Sequence, residues 1–213
     1  MIDLTLLDKT KTNAIVIRHA DRDSMVQGQV SQPLNETGKK NAELLGEKLR
    51  GFMNYAFFSS PVDRCYESVE HLQKGIFGKQ KIQNTLSTIL GEPGPFVIDR
   101  KNNAFKTHSC HKVIIKQIEH EQLDGIRDTQ DGAKILVNFV TEQMNASTLG
   151  TLLIFVTHDS ILAPVIFELT GEKFGYENWP DFSDGFIIEK STCDGSDEYK
   201  VIRKNQYFDL RKF

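Results

Sequence analysis

The stretch that decides the fold is Ile15-Val16-Ile17-Arg18-His19-Ala20-Asp21-Arg22. Its three consecutive β-branched residues predict a strand that is buried on both faces of a sheet. Arg18, His19 and Arg22 follow at the end of that strand, where α/β folds place their chemistry. Two guanidinium groups around one imidazole indicate an anion site. A phosphoryl group is the favoured anion, because arginine matches its oxygens bidentately.

The composition is typical of a single globular domain, which we expect to span residues 1–213. The net charge of −3 argues against a nucleic-acid partner and against binding to a membrane surface. No apolar run approaches the roughly 20 residues of a membrane span. Three widely spaced cysteines and the polar N-terminus indicate neither a disulfide framework nor a leader, so we expect a cytoplasmic protein. The sequence indicates no particular oligomeric state.

Two further apolar runs predict strands that end on polar residues. Tyr55 to Phe58 is followed by a serine pair and then by Arg64, one turn into the next predicted helix. Thr151 to Val156 is followed by a threonine and then by His158 and Asp159. Because the carboxyl ends of parallel strands meet at one edge of a sheet, we expect these side chains to converge on the first cluster.

Strands that alternate with helices predict a three-layer α/β/α fold around a mostly parallel central sheet. The helices include one over Val113 to Leu123, from the spacing of its apolar residues. The region 86–131 has the least regular pattern, with an expected short strand near its start. We expect it to be an insertion that covers the active site.

These motifs together resemble those of the histidine phosphatase superfamily, whose fold is called phosphoglycerate mutase-like. The segments that carry the resemblance are Arg18 to Arg22, Pro33 to Ala42, Ser59 to Ser68, Val156 to Ser160 and Trp179 to Glu189. The second arginine and the His-Asp pair make the resemblance closest to the histidine acid phosphatase branch. Ala20 departs from the pattern, since the family has glycine there.

The resemblance implies a covalent phosphohistidine on His19, with Arg18, Arg22, Arg64 and His158 binding the phosphate. The charges fit this role, because neighbouring arginines disfavour an imidazolium and keep the nucleophile neutral. A backbone carbonyl on the other ring nitrogen would determine the tautomer. We expect His158 to be cationic within the field of the bound phosphate. The guanidinium groups supply the positive charge, so we expect no metal and no cofactor.

Two carboxyl groups are candidates for protonating the leaving alkoxide. Asp159 follows the phosphate-binding histidine, as in the acid phosphatase branch. Glu92 stands where the mutase-like branch places its acid. We favour Asp159, because the His-Asp pair is the closer local match, although aspartate is also a common N-cap at a helix start.

The predicted function is a phosphomonoesterase that acts on a small-molecule phosphate ester. A mutase-type phosphotransferase for phosphoglycerate or sugar phosphates is an alternative, and a non-catalytic phosphoryl-binding module is a weaker one. Phe96, Phe105 and Trp179 are candidates for lining the leaving-group pocket. We expect Cys65 to be packed in the core rather than to act as a nucleophile.

Overall fold

The computed structural model describes residues 2–23, 32–193 and 196–210, so both ends of the predicted domain lie outside the described residues. The strands are β1 (Thr12–Arg18), β2 (Asn54–Ser59), β3 (Asn84–Leu86), β4 (Thr151–Thr157), β5 (Gly185–Cys193), β6 (Ser196–Arg203) and β7 (Gln206–Asp209). The α-helices are α1 (Glu36–Lys48), α2 (Asp63–Phe77), α3 (Cys110–Ile118), α4 (Thr129–Asn145) and α5 (Asp159–Thr170). No helix in these ranges is long and apolar enough to cross a membrane.

The described strands form one sheet in the order β3-β2-β4-β1-β5-β6-β7. The strands from β3 to β1 are parallel, and β5, β6 and β7 extend the sheet with antiparallel pairing. Short connections explain the β5–β6 and β6–β7 pairs, because strands joined by a few residues pair antiparallel. Between β6 and β7 the turn residues Lys204 and Asn205 both have positive φ, at 48° and 59°, as a two-residue hairpin turn requires. The predicted α/β fold is confirmed, and its parallel half contains β1, β2 and β4.

Two hydrophobic clusters cover the two faces of the sheet. Along β1, Ala14 and Val16 belong to the cluster that includes residues of α4 and α5. Ile15 and Ile17 belong to the opposite cluster, which includes residues of α1 and α2. The alternation of side chains along a strand therefore buries both faces of β1, which accounts for its uninterrupted apolar sequence.

The start of α1 packs against the loop that follows β1. Asn35 caps this helix, since its side chain accepts a hydrogen bond from the backbone N–H of Gly38 at 2.8 Å. A Cβ atom on Gly38 would lie 2.0 Å from the carbonyl oxygen of Asp21. Glycine is thus required at this position, because a side chain would push the helix away from the loop that contains Arg22.

The segment 86–131 has a small core of its own beside the sheet. Ala104, Val113 and Ile126 form a buried cluster, and helix α3 contacts α5. The predicted helix from Val113 to Leu123 instead begins at Cys110 and ends at Ile118. It begins early because the Ser109 side chain accepts a hydrogen bond from the N–H of Lys112 and so caps the helix.

Candidate active site

His19 lies directly after β1 and is 1% exposed. Its Nδ1 lies 2.8 Å from the carbonyl oxygen of Ala20. A carbonyl only accepts, so Nδ1 carries the proton and donates, which leaves the lone pair on Nε2. Arg64 meets that lone pair, because its Nε donates to His19 Nε2 at 3.0 Å. The expected backbone carbonyl on the second ring nitrogen is therefore present.

The His19 ring is neutral in this environment. Burial is the main cause that lowers the pKa of His19, and it is reinforced by the charges of Arg64 and Arg18. The hydrogen bond to Ala20 acts in the opposite direction, and the net result is a pKa of about 2. An uncharged imidazole keeps a lone pair on Nε2, which a histidine nucleophile requires.

His158 is bound between an arginine and a serine. A terminal nitrogen of Arg64 lies 3.0 Å from His158 Nδ1, and His158 Nε2 lies 2.9 Å from the Ser60 hydroxyl. Because arginine only donates, Nδ1 accepts and Nε2 carries the proton. Burial first and Arg64 second lower the pKa of His158 to about 3. Without a bound phosphate His158 is therefore neutral, because the adjacent guanidinium group disfavours a second positive charge.

Arg18 uses both of its terminal nitrogens within the protein. One lies 2.6 Å from a carboxylate oxygen of Asp159, and the other donates to the carbonyl oxygen of Pro180 at 2.7 Å. The guanidinium carbon lies 4.2 Å from the centre of the Phe182 ring, within the range of a cation–π contact. The Arg18 Nε is buried without a hydrogen-bond partner among the described residues.

Asp159 begins α5, and three donors surround its carboxylate. Besides Arg18, the Trp179 indole N–H donates to it at 3.0 Å and the Ser160 backbone N–H donates at 2.9 Å. Burial raises the pKa of Asp159, but the Arg18 charge and the Trp179 hydrogen bond outweigh it, so the pKa lies below its ordinary value. Asp159 is therefore a carboxylate that is engaged with protein groups.

Arg22 lies in the loop after His19 and is half-buried. One terminal nitrogen donates to the Gln32 side-chain oxygen at 2.6 Å and to the Asp23 carbonyl at 3.0 Å. Its Nε is buried without a partner among the described residues. Its charge is one of the causes that lower the pKa of Arg64 and of His158, so Arg22 acts electrostatically on the same cluster.

A cavity of about 310 Å³ opens beside Arg64 and His158. Its lining consists of Val62, Arg64, Gly91, Glu92, Pro93, Phe96, Val97, Asn103, Phe105, Lys106, Cys110, His158, Ser160 and Ile161. Most of these residues come from the segment 86–131. Glu92 thus shares a cavity with Arg64 and His158, whereas the other predicted site residues and Trp179 are absent from the lining.

Gly91 allows the loop that carries Glu92 to approach the His158 pocket. A Cβ atom there would lie 2.3 Å from the Ser60 hydroxyl oxygen, which is the atom that receives the His158 hydrogen bond. Any side chain at position 91 would therefore displace either the loop or Ser60.

Other side chains around the site have structural roles. Cys65 is buried, and burial raises the pKa of its thiol to about 12, so it is a packed residue, as expected. The Ser68 hydroxyl accepts from the Ala20 N–H at 2.9 Å and donates to the Arg64 carbonyl at 2.7 Å. Sequence reasoning missed Ser68, although it lies one helical turn after Arg64 and its spacing offered a signal. Phe182 was also missed, and no local pattern marks it.

The structure thus brings five of the seven predicted site residues into two neighbouring contact groups: His19 and His158 with Arg64, and Arg18 with Asp159. Arg22 lies at their edge, and Glu92 lies across the cavity. The described ranges hold no group of three or more histidine, cysteine or acidic side chains with the geometry of a metal site.

Comparison with protein families finds one match in the first part of the chain. A model of the histidine phosphatase superfamily, branch 1, matches residues 14–88. That segment includes His19 and Arg64 and ends before Glu92, His158 and Asp159. The match is to branch 1, so the finer resemblance to the acid phosphatases is not part of it. No curated protein matches the chain.

Solved structures match nearly the whole chain. YhfR of Bacillus stearothermophilus is 16% identical with a TM-score of 0.61, and the match covers 92% of this chain and 97% of that one. A mycobacterial glucosyl-3-phosphoglycerate phosphatase is 16% identical, at 0.58, with 91% and 98% covered. A phosphoglycerate mutase from Bacillus anthracis is 18% identical, at 0.53, with 94% and 93% covered. At these identities the likeness shows the fold, which is phosphoglycerate mutase-like, as predicted.

Proposed function

We propose that this chain, which resembles the histidine phosphatase superfamily in its sequence motifs and its fold, hydrolyses phosphate monoesters through a phosphohistidine on His19. The observation that carries the proposal is the state of the His19 ring. Nδ1 is committed to a carbonyl, and the lone pair of Nε2 meets the guanidinium of Arg64. A neutral nucleophile beside a cation that can bind the electrophile is the minimum requirement for phosphoryl transfer.

Two buried N–H groups support a phosphate site at this position. Nε of Arg18 and Nε of Arg22 have no partner among the described residues. An unsatisfied buried donor costs about 1–3 kcal/mol, and phosphoryl oxygens would satisfy both donors. On binding, the Arg64 N–H groups turn from the histidine rings to these oxygens, which releases the Nε2 lone pair for in-line attack.

We propose Glu92, rather than Asp159, as the proton donor. Glu92 lines the cavity that adjoins Arg64 and His158, so a leaving group in that cavity lies within its reach. The Asp159 carboxylate accepts from Arg18 at 2.6 Å and from the Trp179 indole at 3.0 Å. To protonate a leaving group, Asp159 would have to give up these contacts with protein donors.

The two chemical steps balance with these groups alone. His19 Nε2 forms a bond to phosphorus while the bond from phosphorus to the ester oxygen breaks, and the Glu92 proton goes to that oxygen. Water then attacks the phosphohistidine, and the Glu92 carboxylate takes its proton. The P–N bond breaks and leaves neutral His19 and inorganic phosphate.

The test is steady-state phosphate release from p-nitrophenyl phosphate, without any bisphosphate added. We expect turnover in the presence of EDTA, and we expect His19→Ala to lower it at least about 10³-fold. His71→Ala is the matched control, since His71 pairs with Glu43 between α1 and α2. An acid-labile phosphoryl group on His19 should be seen by mass spectrometry after a rapid quench.

Different results would reject different parts of the proposal. Activity of His19→Ala within a few-fold of the unmodified protein would exclude the phosphohistidine route. A requirement for a bisphosphate primer would indicate the mutase-type alternative. Phosphate binding with no turnover on any ester would indicate a non-catalytic module.

A further inference from the structure

We propose that the cavity beside Arg64 selects a compact, largely apolar leaving group that carries an anionic substituent. This inference rests on the proposed function, since it describes the alcohol from which His19 takes the phosphoryl group. It follows from the chemical character of the cavity walls and from the polar groups that remain unpaired in them.

A substantial part of the cavity wall is apolar. Six of the lining side chains are hydrocarbon, namely Val62, Pro93, Phe96, Val97, Phe105 and Ile161. A polyol or a sugar in this space would leave hydroxyl groups facing carbon, at the cost of their hydrogen bonds to water. An aromatic or branched aliphatic group gains from the same walls. The volume of about 310 Å³ lies at the small end of ligand pockets, which suits a compact group.

Several polar groups of the lining are already satisfied or uncharged. The side-chain amide of Asn103 donates to the Asp99 carbonyl at 2.6 Å and accepts from the Phe105 N–H at 3.2 Å. Burial raises the pKa of the Cys110 thiol to about 12, so this group stays protonated. Neither residue offers a charge to the leaving group.

Lys106 is the charged group of the lining that remains for recognition. It is exposed, it lies in the short 3₁₀ helix Ala104–Lys106, and it makes no ion pair with any described residue. Arg64 serves the phosphoryl group and Glu92 serves the proton transfer. An ammonium group at an apolar cavity favours an anion on the ligand, and a carboxylate is the simplest such anion.

Three primary alkyl phosphates test this inference, because their leaving groups have similar intrinsic reactivity. They are 2-phenylethyl phosphate, its 4-carboxy derivative and glycerol 1-phosphate. We expect kcat/KM for the phenylethyl ester to exceed that for the glycerol ester by about 10-fold or more. The carboxylate should add about 3- to 10-fold, a modest gain because Lys106 is exposed to solvent.

Two variants assign these preferences to residues. Lys106→Met should bring the kcat/KM ratio of the carboxy ester to the phenylethyl ester down to about 1, because the charge partner is lost. Phe105→Ala should reduce the preference for the phenylethyl ester over the glycerol ester about 5-fold or more. Lys112→Met is the control, since Lys112 is exposed on α3 and outside the lining, and both ratios should stay as they were.

The outcomes separate this inference from the proposed function. If p-nitrophenyl phosphate is hydrolysed through His19 but glycerol 1-phosphate is equal or better than the phenylethyl ester, the inference is overturned and the function stands. An unchanged carboxylate ratio in Lys106→Met overturns the anionic part. If no phosphate ester is hydrolysed, both the function and the inference are overturned.

Discussion

The two sides of His19 differ in what their polar groups contact. On the cavity side, which comprises Arg64, His158 and Glu92, the charged groups border an open space. On the closed side, which comprises Arg18, Asp159 and Trp179, the carboxylate and the terminal nitrogens of the guanidinium are satisfied by protein groups. A polar side chain that lies close to His19 in sequence or in space therefore does not have a chemical role for that reason alone. On the closed side Arg18, Asp159 and Trp179 hold one another in place, and Arg18 Nε has no partner among the described residues. On the other side Arg64, His158 and Glu92 line the cavity.

The largest expected effect concerns Glu92, the proposed proton donor on the cavity side. Glu92→Gln removes the acid but keeps the shape, so kcat and kcat/KM on an alkyl phosphate should fall about 10²- to 10⁴-fold. The loss in kcat/KM, which reports the phosphorylation step, should be much smaller on p-nitrophenyl phosphate, whose leaving group needs no proton. Because Glu92 is exposed, the urea unfolding curve of Glu92→Gln should match that of the unmodified protein. Equal losses on both esters would contradict the role of Glu92.

The corresponding change on the closed side should act on stability first. Asp159→Asn leaves the Arg18 charge without its partner at 2.6 Å, so we expect the free energy of unfolding to fall by about 2–4 kcal/mol. The kcat loss on an alkyl phosphate should be smaller than that of Glu92→Gln. If Asp159→Asn instead loses more rate than Glu92→Gln, with unchanged unfolding, Asp159 is the donor.

Acid should destabilise the fold through the two histidines of the site. Their pKa values of about 2 and about 3 lie below that of an unfolded histidine, about 6.5. Above that pH both states are neutral. As the pH falls from about 6.5 to about 4.5, these two histidines bind protons in the unfolded chain but not in the folded one. The free energy of unfolding therefore drops by up to about 1.4 kcal/mol per pH unit for each ring.

Urea unfolding across this pH range measures the effect. In His158→Gln the slope of the free energy of unfolding against pH should correspond to about one proton fewer. Glutamine at this position can still accept from Arg64 and donate to Ser60. An identical slope in the variant and the unmodified protein would show that His158 does not have a lowered pKa in the folded state.

The smallest expected effect belongs to Trp179→Phe on the closed side. The change removes one of three donors to Asp159 but keeps the aromatic contact with His111, whose ring centre lies 4.3 Å away. We expect a loss of about 1 kcal/mol in the free energy of unfolding and kcat within a few-fold. A collapse of activity would mean that Trp179 touches the substrate.

The parallel half of the fold was predictable because its signals are local. Apolar runs without alternation mark strands that are buried on both faces, and β1, β2 and β4 all have them. Adjacent parallel strands end together, so Arg18 pairs with Thr157 in the sheet register and Ser59 pairs with Val156. The convergence of their polar ends followed from that geometry.

The remainder of the site depends on contacts that no local pattern encodes. The neutral state of His158 results from its burial and from the guanidinium of Arg64, which lies 94 positions earlier in the chain. Phe182 and Pro180 contact Arg18 from a segment with no periodicity of its own. The assignment of the proton donor depends on which carboxyl group faces the cavity, and this is a property of the folded loop around Glu92.

The segment 179–184 matters for anyone who transfers this chemistry to another scaffold. Its Trp179 indole donates to Asp159, and its Pro180 carbonyl and Phe182 ring contact the Arg18 guanidinium. Its Asp184 backbone oxygen accepts from the Arg18 backbone N–H at 2.9 Å. A graft limited to the three strand ends would carry the predicted cluster of arginines and histidines together with Asp159. Arg18 would then lack its contacts with Pro180, Phe182 and Asp184. A transplanted site therefore needs this segment as a fourth component.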